Sequence, residues 1–187
     1  WVTGIHIVNT SPQTQVVKFR FRRATDSMDA LDFNIVMSPQ DVYAGFLSDD
    51  DGTISWQADD TTCTVPATDD GKLTMPPIYR PDAETGYVEI IAMGAPAAET
   101  APIAVAAKHV LADGEFVPRS CDAVRSNFFA DGDLAIDRSG VVDNATSIQE
   151  EDDGTFEQND YVDSGNVLKV SYAITDVATG IEFGDNA

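Results

Sequence analysis

Residues Gln15 to Leu47 read QVVKFRFRRATDSMDALDFNIVMSPQDVYAGFL and hold the two cleanest period-two patterns in the chain. Val17, Phe19 and Phe21 alternate with Lys18, Arg20 and Arg22. Leu31, Phe33, Ile35 and Met37 alternate with Asp32, Asn34 and Val36. Such alternation turns one face of a strand to a core and the other to water or a partner. The polar turn ATDSMD lies between the two runs. Together they predict the central strand pair of a β-rich extracellular domain.

Outward from this pair, more strands are expected. GIHIVNTS (Gly4 to Ser11) is the first strand, with Ile5 and Ile7 on one face, and Pro12 ends it because proline cannot donate to a ladder. Ser38-Pro39-Gln40-Asp41 has turn composition, and Val42 to Leu47 follows as a strand. Ser48 to Gly52 (SDDDG) signals a hairpin whose return strand is Thr53 to Gln57. Thr62 to Val65 is an extended edge, and Asp69-Asp70-Gly71 is a tight turn. The prolines from Met75 to Pro81 mark an irregular crossing loop. Tyr87 to Met93 (YVEIIAM) is a continuous apolar run, expected to be central and covered on both faces.

Beyond Thr100 the pattern changes. Thr100 as N-cap, Pro102 in the first turn and Gly114 as a stop predict a helix. Ile103, Ala106, Ala107, Val110 and Leu111 would share its face. A strand is the alternative, since Ile103 and Val105 also alternate. CDAVRSNFF, carrying Cys121, reads as a second short helix. Residues 131–166 are acidic and turn-rich, a surface excursion of loops or a hairpin. Val167 to Ile174 restores alternation, and Thr179-Gly180 turns into a last IEF segment. The sum is a mainly β protein, a single β-sandwich (Ig-like or jelly-roll-like) over residues 1–187 with one or two short helices in an insert near 100–128.

With 187 residues, 43% of them hydrophobic, nine Phe and five Tyr, the chain can bury a real core. Its start on Trp1 without a Met points to processing and to a longer parent chain. The net charge of −21 makes nucleic acid and anionic membranes poor partners, and no apolar run is long enough for membrane insertion as a helix. Lys18, Arg20, Arg22 and Arg23 are four of only eleven basic residues. They are expected to meet carboxylates across the sheet, with a docking stripe between subunits as the second reading.

Cys63 and Cys121 cannot form a zinc site alone. One disulfide, worth about 2–4 kcal/mol in an oxidising compartment, is the first reading, and two buried thiols the second. Asp49 and Asp51 echo the middle of a calcium loop, as do Glu151, Asp153 and Asp160 in EEDDGTFEQND. The first set would begin at Leu47 and end at Ala58 and the second would begin at Gln149, so neither is an EF-hand. Tight Asp-Gly turns explain both, and calcium stays as an optional ligand. Trp56 and Tyr43 on paired strands are candidates for a sugar platform, or for ordinary sheet packing. Asn9-Thr10-Ser11 and Asn144-Ala145-Thr146 match the N-glycosylation pattern. His6 and His109 stand outside any catalytic motif, so no enzymatic activity is expected.

The strings IVNTSPQTQVVKFRFRR, DSMDALDFNIVMSPQDVYAGFL, DDTTCTVP, GYVEIIAMG and PRSC resemble a group of uncharacterised secreted β-rich bacterial surface proteins. The likeness spans roughly residues 5–128. It implies export and a Cys63–Cys121 pair, and it brings no activity or site residues. The resulting expectation is a non-catalytic, self-assembling structural module of the cell surface, of filament or surface-layer type. Its joint would be Gly4 to Asn9, or the C-terminal strand, added to a neighbour's sheet. A calcium- or glycan-binding adhesin is the alternative.

Overall fold

The computed structural model describes residues 1–128 and 161–187, and in it two antiparallel sheets face each other across one core. The larger sheet is built from β1 (Val2–Asn9), β4 (Val42–Asp50), β5 (Thr53–Gln57), β7 (Lys72–Thr74), β12 (Leu168–Thr175) and β13 (Glu182–Asn186). Its order is β13-β12-β1-β4-β5-β7. The smaller sheet holds β2 (Gln15–Arg23), β3 (Asp29–Met37), β6 (Cys63–Val65), β8 (Gly86–Pro96) and β11 (Tyr161–Val162), in the order β11-β8-β2-β3-β6. The sandwich expected from the alternation is the fold observed.

The alternating residues do what their period requires. Val17, Phe19 and Phe21 of β2 and Leu31, Phe33, Ile35 and Met37 of β3 point into the gap between the sheets. Ile5 and Ile7 of β1, Tyr43 and Leu47 of β4, and Ile54 and Trp56 of β5 meet them from the other side. Phe19 stacks on Phe33 with ring centroids 4.7 Å apart and reaches Trp56 across the gap at 4.6 Å. Such aromatic pairs add to the burial term that dominates sandwich stability.

Tight turns sit where left-handed backbone is available. Asp51-Gly52 connects β4 to β5 with φ of 51° and 79°, the paired positive values of a two-residue hairpin turn. Asp70-Gly71 leads into β7 in the same way. Gly45 is fixed for another reason. A Cβ there would come within 2.4 Å of the Trp56 ring and 2.6 Å of the Gln57 carbonyl, so the tryptophan packs against bare backbone.

Between β8 and β11 the chain makes a cap on the outer face of the smaller sheet. It consists of α1 (Pro102–Ala107), the hairpin β9 (His109–Ala112) and β10 (Glu115–Pro118), and α2 (Cys121–Phe128). Ile103, Ala106, Ala107, Val124 and Phe128 close over Val16, Val36, Val65 and Met93. The expected long helix is corrected here. Its N-cap is Ala101, not Thr100, and it ends at Lys108, whose backbone is extended. Val110 and Leu111 belong to the hairpin, and Gly114 with Asp113 makes its turn. The apolar run in β8 also differs from expectation. Val88 and Ile90 pack on the core and Met93 on the cap, but Tyr87 is exposed and Val88 to Ala92 are only partly covered.

Candidate functional site

Lys18, Arg20 and Arg22 of β2 lie on the outer face of the smaller sheet, inside a three-strand ionic ladder. Arg20 stands directly between Asp32 of β3 and Glu89 of β8. Its guanidinium lies 3.6 Å from Asp32 and 3.8 Å from Glu89. Arg22 Nε is 2.7 Å from Glu89 and 3.1 Å from Asp29, and Lys18 Nζ is 2.8 Å from Asp32. Arg23 pairs with Asp26 across the β2–β3 turn. Cross-strand pairing within the sheet accounts for this stripe, and a carboxylate already sits beside each charge a docking partner would seek.

Several candidate residues are placed by the core and not by a ligand. Trp56 is fully buried and Tyr43 is 1% exposed, and Trp56 Nε1–H donates to Tyr43 Oη at 2.8 Å. Burial pushes the Tyr43 hydroxyl above its usual range. A sugar platform needs an open ring face, so that reading of the pair is corrected and the other, sheet packing, is what the burial shows. Asn9 is likewise buried. Its amide donates to the carbonyls of Gln13 and Ser38 at 2.8 Å each, while its oxygen accepts from Ser11 N–H and Oγ–H. The folded chain therefore cannot present the Asn9 sequon for glycosylation.

Ile5 and Ile7 are corrected too, since β1 lies mid-sheet, paired along its length with β4 and β12. It has no free edge to donate. Asp49 and Asp51 lie in and beside the β4–β5 turn. Glu151, Asp153, Asp160 and the Asn144 sequon fall outside the described residues. Among the described residues, no three of His, Cys, Asp and Glu converge as a metal group.

The two cysteines are joined, which fastens α2 of the cap to edge strand β6, 58 residues earlier. Beside this link lies a cleft of 610 Å³ that the sequence did not reveal, lined by Asp41, Asp59, Asp60, Thr61, Asp70 and His109 among others. Its residues come from the β3–β4 turn, the loop before β6, the turn before β7 and the base of the cap hairpin. Asp41 is the fixed point. Its Oδ2 accepts from Ser38 N–H at 2.9 Å, its Oδ1 from Val42 N–H at 2.9 Å, and Thr62 Oγ1 lies 3.4 Å away. Burial pushes its carboxyl up, the His109 charge and the two N–H donors pull it down, and Asp60 pushes it up again. His109 Nδ1 is 2.9 Å from Ser38 Oγ and 3.7 Å from Asp41, while Nε2 is 3.4 Å from Thr61 Oγ1.

The other open feature is the edge of the larger sheet. Among the described residues β13 pairs with β12 on one side only, and all five residues of β13 are exposed. Phe183, 60% exposed, stacks on Trp1 with centroids 6.5 Å apart, and Tyr172 and Ile181 are exposed close by in the β12–β13 hairpin. Alternation signals a strand and its two faces but not its neighbours, so the sequence offers the first strand and the C-terminal strand alike as the joint, and only the latter lies at an edge. Comparison with protein-family models, with curated proteins and with solved structures finds no match.

Proposed function

We propose that the protein is a non-catalytic extracellular structural module that joins a second copy of itself by strand addition along β13. The observation that carries this reading is the open β13 edge with the Trp1–Phe183 stack beside it. An unpaired edge offers a row of N–H and C=O groups, and an apolar row beside it supplies the burial that hydrogen bonds alone do not. Antiparallel pairing centred on Phe183 sets that ring against its copy. Glu182 then faces Gly184 and Asp185 faces Ile181, so no like charges stand directly opposite. Such a contact is isologous and closes at two copies. The disulfide fits an oxidising compartment, and no described helix is long and apolar enough to cross a membrane.

A net charge of −21 opposes the approach of two copies, and salt screens it with a Debye length of about 8 Å at 0.15 M. Association is therefore expected to strengthen with ionic strength. Phe183→Lys places a charge on the edge strand, a device that blocks edge pairing. Light scattering on a sizing column should give a dimer mass that grows with salt for the wild type. The Phe183→Lys chain should stay a folded monomer, with its denaturation free energy changed by no more than about 0.5 kcal/mol, as for an exposed site. A wild-type monomer at every salt concentration overturns the reading, as does a Phe183→Lys dimer of unchanged mass.

A further inference from the structure

The YVEIIAM run of β8 has the make-up of an inner strand, yet one side of it is open. β2 borders β8 from Gly86 to Gly94, and on the other side β11 pairs only with Ala95 and Pro96. Among the described residues nothing bonds to the free side of Gly86 to Gly94. Exposed edges are normally blunted by lysine, proline or a bulge. Tyr87 to Ala92 holds neither residue, and the register shift against β2 falls after Ala92. The one charge in the run, Glu89, is held from the β2 side by Arg20 and Arg22.

The opposite sheet runs on beneath this opening. Residues 163–167 lead from β11 to β12, so the β8 side of the smaller sheet lies over the β12 side of the larger. Leu168 and Val170 of β12 turn to the core, and the period of two sends Tyr172 and Ile174 to the same face. Phe183 of β13 stands opposite Ile174 and shares that face. Ile5 and Ile7 of β1 are buried on it, whereas Tyr172 is 39% and Phe183 60% exposed. The sandwich is one strand short on this side, with an apolar floor that continues where the smaller sheet stops.

We propose that the free side of β8 binds a single extended segment of another protein, apolar at alternate residues and basic between them. β2, the partner on the closed side, sets the chemistry. Its Val17, Phe19 and Phe21 enter the core, while Arg20 and Arg22 stand on the outer face beside Glu89. A segment on the open side repeats that arrangement, and its apolar residues cover Tyr172, Ile174 and Phe183. Its basic residues meet a chain of net charge −21, with Asp82 and Glu84 exposed just before β8 and Glu182 and Asp185 exposed on β13. β13 lies beyond β12 in the larger sheet, so a second sandwich meets β13 before it reaches β8, and a lone strand does not. The inference does not depend on copies joining through the β13 edge.

The probe is the synthetic peptide QVVKFRFRR, the sequence of residues 15–23, added to the whole chain. One control has the same composition in scrambled order, and another carries glutamate at its four basic positions. By fluorescence anisotropy the alternating peptide should bind at least about tenfold more tightly than the scrambled one, and the acidic one should not bind. Amide hydrogen exchange should slow at alternate residues of 86–94 when the alternating peptide is bound. Tyr172→Lys, which sets a charge in the floor, should weaken binding about tenfold. Added salt should weaken it too, because the attraction is between opposite charges. Self-association through β13 responds to salt with the opposite sign, so failure of either reading is distinguishable from failure of the other. No binding, equal binding of the scrambled peptide, or protection at 182–186 in place of 86–94 overturns the proposal. Unchanged affinity in a folded Tyr172→Lys chain overturns it as well.

Discussion

A chain that lacks Trp1 to Thr10 is expected not to fold. β1 is hydrogen-bonded to β4 on one side and β12 on the other, so its removal splits the larger sheet into two unconnected pieces. It also takes Ile5 and Ile7 from the core, worth about 2–5 kcal/mol each even as single truncations to alanine. Asn9 goes with it, and the amide that holds the 10–15 loop to the Ser38 carbonyl is lost. Those losses, with the ladder hydrogen bonds on both sides of β1, are of the same size as the roughly 5–15 kcal/mol by which domains are usually stable. Far-UV circular dichroism of the truncated chain should show loss of the β signal, and a synthetic Trp1–Thr10 peptide added in excess should restore part of it. A truncated chain that keeps its sheet content and unfolds cooperatively would contradict the central placement of β1.

The second large effect is expected at Trp56. Its ring touches Phe19, Phe33 and Tyr43, and its Nε1–H satisfies the Tyr43 hydroxyl. Trp56→Ala leaves a cavity at the point where the two sheets meet and orphans that hydroxyl. The combined cost is about 5 kcal/mol. Urea denaturation followed by circular dichroism measures it directly. A tryptophan serving an exposed binding platform would cost little on truncation, so a change below about 1 kcal/mol would return Trp56 to the surface.

These two expectations show which parts of the molecule its sequence made legible. The alternation in β2 and β3 gave the strands and their inward faces, because burial on one side imposes a period of two that nothing else imitates over so many residues. Asp51-Gly52 declared its hairpin through the left-handed backbone it needs. The Lys18–Arg22 stripe declared its carboxylate partners through charge balance alone. Position within a sheet was less visible. Ile5 and Ile7 have the same alternation in a central strand as in an edge strand, so the first strand was expected to be available to a neighbour. Trp56 and Tyr43 read equally well as a platform or as packing, because composition carries no burial. The Ala112 to Glu115 turn was taken for a helix end, since Gly114 suits a C-cap and a hairpin turn alike. The cleft around His109 was invisible for a different reason. Its walls come from residues 41, 59–61, 70 and 109, which only the closed sandwich brings together.

The central place of β1 also governs the order in which this chain can become a protein. As the polypeptide emerges from its N-terminus, β2, β3, β6 and β8 are all available once residue 96 has appeared. β1 and β4 can pair at that stage too. Yet β1 then has one bare side, because the strand that covers it spans residues 168–175, long after β1 in the sequence. Until β12 arrives, an eight-residue edge carrying Ile5 and Ile7 stays open to any other extended segment. Pairing so distant in sequence is intrinsically slow, and the half-built sheet is most vulnerable to mispairing while it waits. A chaperone that shields residues 2–9 until residue 175 has emerged would therefore raise the yield of correctly closed sandwiches.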